Sequence, residues 1–199
     1  MAYTDFTLAS IDQALDVRAE PGELFPQLRP IAGPPWLADA LARGLKQALL
    51  SEKARSEFIV APILLAVQEL SPRELAIYSG QRLDVDPQQG LVGECDFLLS
   101  ASPPLPALQS PLLAVVEAKK NDIESGIVQC MAQMIGARLF NRQSGKGPEI
   151  VYGCVTNGEG WQFLRLNGTT VTIDRTRFYI NDVERLLAAF QDVIRQSVS

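Results

Sequence analysis

The end of one apolar stretch places two charged side chains where they could do chemistry. Residues 112–116 form an unbroken apolar run that leads directly into Glu117, Ala118 and Lys119. Because side chains alternate along a strand, we expect Glu117 and Lys119 to share one face, with Ala118 on the other. Charges at the edge of a dry core cost several kcal/mol per ion unless they pair or bind another ion. A divalent cation would supply that compensation.

A second acidic pair precedes this stretch in the chain. In residues 93–96, Glu94 and Asp96 stand two positions apart, which places both on the same face of a strand. If that strand pairs with the strand that ends at Glu117, Asp96 comes within several ångströms of Glu117. Glu94 is the competing candidate for the same role, and its simpler interpretation is a solvent-facing carboxylate.

Paired carboxylates beside a lysine predict a particular chemistry. Oxygen ligands favour Mg²⁺ or Mn²⁺ over zinc, and Mg²⁺ commonly uses only one or two protein carboxylates. Such a cation can lower the pKa of a water molecule and neutralise charge on a phosphate. Lys119 can orient or deprotonate that water, or stabilise the transition state. The reaction that these groups suit is phosphodiester hydrolysis.

Composition excludes several other classes of site. The chain contains no histidine, which excludes Ser-His-Asp and Cys-His triads and H-E-x-x-H metal sites. Its three cysteines form no C-x-x-C pair, so a zinc knuckle or redox motif has no support. The net charge of −5 argues against a broad basic surface for nucleic acid. Residues 118–147 carry a local excess of basic side chains, which could follow a phosphate backbone or form a solvated helix face.

The order and spacing of these residues resemble the PD-(D/E)XK nuclease superfamily. The matching signals are G-x-x-D at residues 93–96, E-x-K at residues 117–119, and Gln129, ten residues beyond the lysine. The resemblance covers about residues 56–166 and includes the form found at the N-terminus of type I restriction subunits. A T-N-G-x-x-W stretch at residues 156–161 is similar to one that often follows that core. Cys95 replaces the nominal proline before the aspartate, at a position that varies widely in the superfamily.

The resemblance implies a set of metal ligands. Asp96 and Glu117 would bind the metal, and the backbone carbonyl of Ala118 would assist. Glu57 matches an acidic residue that some members add on the first core helix. A favourable charge near a helix N-terminus is the alternative interpretation of Glu57.

The resemblance also implies catalytic and substrate-binding residues. The expected catalytic residues are Asp96, Glu117, Lys119 and Gln129. For Gln129 the alternative is a side chain that satisfies a buried backbone group. Lys120 and Gln133 are the expected substrate-binding residues, although Lys120 could be a surface lysine and Gln133 a solvated helix residue.

Function, cofactor and partners follow as expectations. We expect a metal-dependent endonuclease that uses Mg²⁺ or Mn²⁺ and acts on nucleic acid, with DNA favoured by the resemblance alone. The alternative is a catalytically inactive nuclease-fold module that binds or regulates within a larger assembly. The oligomeric state stays open, with a homodimer or a larger assembly among the alternatives. The absence of a signal peptide pattern and of a long apolar run predicts a cytoplasmic location without membrane association.

The elements that would position these residues can be predicted from periodicity. We expect an α/β fold with a restriction-endonuclease-like core (αβββαβ), in which helices flank a central mixed sheet. Residues 1–35, which include five prolines, predict an irregular N-terminal arm or a small cap, and residues 36–199 a single nuclease-like domain. Helical spacing predicts one amphipathic helix over residues 36–58, and Ser56 is a plausible N-cap for a second helix that contains Pro62.

Strands and further helices complete the predicted core. An antiparallel meander is predicted from strands at residues 75–79, 82–86 and 91–100, with a turn at Ser79-Gly80. The strand at residues 112–119 should be central, because it is apolar on both faces. Helices are predicted at residues 122–141 and 181–196, and strands at residues 149–156, 161–166 and 169–173. Asn167-Gly168 joins the last two strands as a hairpin.

Overall fold

A mixed β-sheet forms the centre of the computed structural model, which describes residues 1–145 and 147–197. Its seven strands within those residues are β1 (Arg18–Gly22), β2 (Ala76–Arg82), β3 (Glu94–Ser100), β4 (Leu112–Ala118), β5 (Val151–Thr156), β6 (Gly160–Asn167) and β7 (Thr170–Tyr179). They lie in the order β1-β7-β6-β5-β4-β3-β2. The β1–β7 and β4–β5 pairs are parallel and the other pairs are antiparallel.

Helices cover both faces of this sheet. They are α1 (Leu8–Leu15), α2 (Pro35–Gly44), α3 (Glu52–Arg55), α4 (Ala61–Glu69), α5 (Glu124–Gln143) and α6 (Val183–Gln196). The helices α2, α4 and α6 pack against one face, whereas α5 and the N-terminal residues pack against the other. The predicted α/β class with a mixed sheet between helices is confirmed. Over residues 1–145 and 147–197, no helix has both the length and the apolar character that crossing a membrane requires.

The strand β4 is the central strand that its sequence predicts. All seven of its residues are buried. It pairs with β3 on one side and with β5 on the other, and β2 continues the antiparallel series beyond β3. The expected antiparallel pairing of the Asp96 strand with the Glu117 strand is therefore confirmed, and the end of β4 at Ala118 lies between two neighbouring strands.

The long predicted helix breaks into two pieces. The helix α2 ends at Gly44, and α3 begins only at Glu52, with the Ser51 hydroxyl accepting a hydrogen bond from Ala54 N at 3.0 Å. Gly44 packs so closely against Phe58 that a side chain at Gly44 would collide with the backbone oxygen of Phe58. Two residues 14 positions apart in one straight helix cannot touch, so this contact requires the chain to turn between them. The single helix over residues 36–58 is wrong because this tertiary contact outweighs helical spacing.

The predicted start of the next helix is also wrong. Ser51, not Ser56, caps the helical region, and Ser56 begins a π-helical turn (Ser56–Val60) that leads into α4. Pro62 lies in the first turn of α4. A wider π turn just before a proline accommodates the missing N–H and the ring.

The strand β2 replaces two predicted strands and the turn between them. It runs without a change of register from Ala76 through Gly80 to Arg82. Gly80 has a φ of +61°, a conformation that glycine adopts without strain. Beyond Arg82, the backbone N–H groups of Leu83 and Val85 donate to Gly93 O and Leu91 O, and Asp86 and Leu91 form an isolated bridge. The Ser79-Gly80 turn is therefore a local kink inside one strand.

The N-terminal residues form regular structure, so an irregular conformation of residues 1–35 is wrong, whereas the small cap stays a prediction. Thr7 caps α1, because its hydroxyl accepts from Ser10 N at 3.1 Å. The strand β1 then joins the edge of the sheet beside β7, and Pro21 is tolerated there. Tyr3 is 1% exposed and donates its hydroxyl to Leu83 O at 2.7 Å. The division at residue 36 into an arm and a domain stays a prediction.

Candidate active site

Asp96 is part of β3 and lies beside the end of β4, as the pairing of the two strands requires. Phe97 on β3 is aligned with Val116 on β4. Asp96 directly precedes Phe97 in β3, and its Oδ2 accepts a hydrogen bond at 2.7 Å from the backbone N–H of Ala118, two positions beyond Val116. The structure therefore brings Asp96 to the residue that separates Glu117 from Lys119.

Glu117 is the buried centre of a side-chain network. It is 3% exposed. Its Oε1 accepts from Lys119 Nζ at 2.8 Å and from Gln129 Nε2 at 2.5 Å, and its Oε2 accepts from Gln133 Nε2 at 2.8 Å. Lys119 Nζ also donates to Gln129 Oε1 at 3.0 Å. The structure thus joins Glu117 and Lys119, which were expected on one strand face, with Gln129, which the resemblance implied, in one hydrogen-bonded cluster.

The helix α5 supplies both glutamines and the space for the lysine. Gln129 and Gln133 lie one turn apart, so their side chains reach Glu117 from the same helix face. A Cβ at Gly126 would lie 3.0 Å from both Cγ and Cε of Lys119 and 2.6 Å from Cγ1 of Val155. Gly126 therefore lets the lysine side chain pass between the helix and the sheet.

Burial and neighbouring charges shift the pKa values of all three ionisable groups. Burial, followed by the charge of Asp96, raises the pKa of Glu117 to about 7. Burial also raises the pKa of Asp96, although the Ala118 N–H and the charge of Lys119 oppose that shift. For Lys119 burial lowers the pKa, but the adjacent Glu117 carboxylate outweighs it and leaves a net rise. Burial thus disfavours the charged form of both carboxyl groups, and the hydrogen bonds and the charge of Lys119 oppose this only in part.

An acidic cleft of about 400 Å³ opens beside Asp96. Its lining residues come from the α3 region and from β2 and β3: Glu52, Lys53, Ser56, Glu57, Ser79, Gly80, Glu94, Asp96 and Phe97. The charge of Glu52 raises the pKa of both Asp96 and Lys119. Sequence reasoning missed Glu52 because it placed the helix start at Ser56. The local signal that points to Glu52 is Ser51, a favourable N-cap residue directly before it.

The remaining candidates occupy different positions around this group. Glu57 is exposed, lies 3.8 Å from Lys53, and lines the cleft without joining the hydrogen bonds of Glu117. Lys120 is exposed at the end of β4. Gln133 is fully buried, and besides Glu117 it donates to Glu94 O at 3.4 Å. We therefore place Gln133 in support of Glu117 rather than on a substrate-binding surface.

The donor set suits a hard divalent cation. Over the residues that the structure describes, no group of three or more His, Cys, Asp or Glu side chains is arranged to hold a metal ion. Asp96 and Glu117 instead offer two carboxylates, and Mg²⁺ often uses no more than that from a protein. A cation would also favour the charged forms of both carboxyl groups, which burial disfavours.

Comparison of the chain with known proteins adds no constraint on this site. No known protein family matches the chain, and no curated protein matches it. The function is therefore inferred from the residues and their geometry.

Proposed function

We propose that this protein is a metal-dependent nuclease that hydrolyses phosphodiester bonds, with DNA as the expected substrate. The observation that carries the proposal is the meeting of Asp96, Glu117 and Lys119 at the adjacent ends of β3 and β4. Both carboxyl groups there have raised pKa values, and one of them lines an open cleft. Strongly perturbed carboxyl groups in a cleft are typical of catalytic sites.

Mg²⁺ or Mn²⁺ is the proposed cofactor. Asp96 and Glu117 would hold it, with the Ala118 carbonyl and, at the outer edge of the cleft, Glu57 as further oxygen donors. A divalent cation there would supply charge neutralisation for the phosphate and make water a better nucleophile. The oxygen-only donor set favours these two metals over zinc.

The protein side chains would contribute orientation and charge. In hydrolysis, water attacks phosphorus, one P–O bond breaks, and the leaving oxygen takes up a proton. The Lys119 ammonium would stabilise the negative charge that develops on the phosphate oxygens. Gln129 and Gln133 hold the Glu117 carboxylate in one orientation, and the exposed Lys120 would contact a neighbouring phosphate.

The order of elements supports the proposal at the level of the fold. From α3 to β5 the chain forms helical segments, three antiparallel strands, a long helix, and a strand parallel to β4. That is the αβββαβ order expected of a restriction-endonuclease-like core. We propose that residues 52–156 are such a core, with β6, β7 and β1 extending its sheet.

A cleavage assay with a matched lysine control tests the function. Purified protein is incubated with labelled single- and double-stranded DNA and with RNA, with Mg²⁺, Mn²⁺ or EDTA. Lys119→Ala should abolish metal-dependent cleavage, whereas the exposed Lys46→Ala should cleave like the wild type. Equal cleavage by Lys119→Ala and wild type, or no cleavage by either, would defeat the catalytic claim.

One observation favours a second candidate, a nuclease-fold module that binds or regulates without cutting. Both oxygens of Glu117 already accept hydrogen bonds from side chains of the same chain. A carboxylate whose oxygens already accept hydrogen bonds gains less free energy when it binds a cation. Thermal unfolding with increasing Mg²⁺ or Mn²⁺ separates the candidates, because a cation that binds only the folded state raises the melting temperature. A flat response at millimolar metal would favour the second candidate.

A further inference from the structure

The turn at residues 156–160 lies against the strand end that carries Lys119. The backbone N–H of Lys119 donates to Thr156 O at 2.7 Å. Within the turn, Thr156 Oγ1 donates to Gly160 O at 2.7 Å and accepts from Gly158 N at 2.9 Å. The turn is thus internally ordered and fixes the lysine backbone, although none of the proposed catalytic side chains comes from it.

Asn157 connects this turn to the loop that follows Lys119. Its Oδ1 accepts from Glu159 N at 3.1 Å and from Gly160 N at 2.9 Å, which shapes the turn. Its Nδ2 donates to Asn121 O at 2.9 Å, across 36 positions of the chain. Asn121 lies between Lys119 and the start of α5, the helix that carries Gln129. The Asn157 side chain therefore stabilises both the turn and the loop that connects Lys119 to α5.

Arg55 holds the same turn from the opposite side. Its Nη1 donates to Asn157 O at 2.7 Å and lies 3.8 Å from Glu159. The Arg55 side chain is largely buried, and among the described residues its buried Nε has no hydrogen-bond partner. Leaving part of a guanidinium buried and unpaired costs free energy. Stability alone therefore does not account well for Arg55, because this unpaired Nε lowers the net stabilisation that the residue provides. Arg55 also connects the turn to α3, the helix that carries Glu52.

We propose that Asn157 and Arg55 are positioning residues for the site, an inference that rests on the proposed nuclease function. Together they link three segments near the end of β4: α3, the loop after β4, and the turn at residues 156–160. Their effect is to fix where the Lys119 ammonium lies relative to Glu117 and Gln129. Small errors in such placement reduce catalysis strongly even where binding is retained.

The chain offers a matched control for Asn157. Two Asn-Gly turns close the two ends of β6, one at Asn157-Gly158 and one at Asn167-Gly168, and both glycines have positive φ. Asn167 is exposed in a simple hairpin distant from Lys119. Replacement of each asparagine by serine keeps a short acceptor that can support the turn but removes the amide donor.

The experiment compares Asn157→Ser, Asn167→Ser and Arg55→Lys with the wild type. The activity measurement is kcat and KM for metal-dependent cleavage. The second measurement does not need activity: NMR follows the exchange rate of the Lys119 backbone amide and the side-chain amide signals of Gln129. Chemical denaturation gives the free energy of unfolding for each variant.

We expect kcat to fall roughly tenfold to hundredfold in Asn157→Ser and Arg55→Lys, with little change in KM. Lysine lacks the planar donor fork of arginine, so charge alone should not rescue Arg55. The Lys119 amide should exchange at least about tenfold faster and the Gln129 signals should shift, while Asn167→Ser behaves like the wild type.

The two measurements separate failure of this inference from failure of the nuclease proposal. If no variant and no wild-type protein cleaves, the nuclease proposal fails and the NMR comparison still decides the positioning role. Unchanged Lys119 exchange and unchanged Gln129 signals in a folded Asn157→Ser protein would overturn the inference. Equal changes in Asn167→Ser would overturn it too, because they would show a general effect of weakening β6.

Discussion

Two buried carboxylates, Glu117 and Asp174, lie three strands apart in the same sheet. Side chains donate the hydrogen bonds to Glu117, whereas backbone amides donate those to Asp174. Each is 3% exposed, and burial raises the pKa of each. Glu117 accepts hydrogen bonds from three side chains, one of them a lysine, and interacts with Asp96 at the edge of a cleft.

The hydrogen bonds that Asp174 accepts come from backbone amides and reach only one of its two oxygens. Its Oδ1 accepts from Thr176 N at 3.1 Å and from Leu24 N at 3.5 Å. Its Oδ2 is buried without a hydrogen-bond partner among the described residues. The backbone amides lower its pKa and so partly oppose the effect of burial. Asp174 therefore fastens the segment after β1 to β7.

The comparison shows what separates a structural carboxylate from a candidate catalytic one. Backbone donors are fixed by the fold, so Asp174 cannot exchange its partners without local unfolding. Side-chain donors on α5 and at the end of β4 can rotate, so Glu117 can trade a hydrogen bond for a cation. Burial and a raised pKa are common to both residues and do not distinguish them.

The largest expected difference between the two residues is in cleavage. Glu117→Gln should lower metal-dependent cleavage by about a hundredfold or more, because it removes a proposed ligand and the partner of Lys119. Asp174→Asn should leave the cleavage rate close to that of the wild type once folding is verified. Initial rates at saturating Mg²⁺ measure both. Similar losses in the two variants would remove the distinction.

A glycine beside each carboxylate gives the second comparison. Gly126→Ala would press on Lys119 and Val155, and Gly22→Ala, opposite Asp174, would press on the Thr172 side chain. Overpacking of this kind costs about 1–3 kcal/mol of unfolding free energy, so both variants should be less stable. Cleavage per folded molecule should fall only in Gly126→Ala. Denaturation together with rate measurements tests this, and a normal rate in Gly126→Ala would show that the lysine tolerates displacement.

The pH dependence of stability gives a third comparison. Between the ordinary pKa of 4.5 and the raised value of about 7, folded Glu117 binds more protons than the unfolded chain. Stability should therefore decrease as pH rises through this window, by an amount on the order of 2 kcal/mol between pH 5 and pH 8. Glu117→Gln should flatten that decrease, whereas Asp174→Asn should retain it. Urea denaturation at several pH values measures the slopes, and a wild-type slope in Glu117→Gln would contradict the assignment.

The smallest expected effect concerns the exposed cations that follow each carboxylate. Lys120→Ala should raise KM for DNA a few-fold and reduce the salt dependence of binding by about one counterion. Arg175→Ala, which removes an exposed cation next to Asp174, should change neither. Binding titrations at several salt concentrations compare them. An equal salt effect in both variants would indicate only a general loss of positive charge.

Much of the fold on the Glu117 side could be predicted from local pattern. The apolar run of β4 and the helical spacing of α5 each fix an element without distant information. The region around Asp174 could not, because β1 is a short, mostly exposed strand whose partner lies about 150 positions away. The break after Gly44 likewise depends on contact with Phe58, which no local pattern records.

The candidate site likewise contains residues that the sequence predicted and residues that it did not. Alternation along a strand predicted that Glu117 and Lys119 share one face. Gln129 was added only by the resemblance, because no local pattern places a residue of α5 against Glu117. The depth of Gln133 depends on how closely α5 packs against the sheet, so its contact with Glu117 could not be anticipated. Glu52 was missed because its position depends on where α3 begins.

Calorimetric titration of Mg²⁺ or Mn²⁺ at pH 8 is the most direct test of the central claim that Asp96 and Glu117 form a cation site. The wild type and Asp174→Asn should bind the cation with the same affinity, and Glu117→Gln should lose that binding. No binding by the wild type at millimolar metal, or undiminished binding by Glu117→Gln, would contradict the claim.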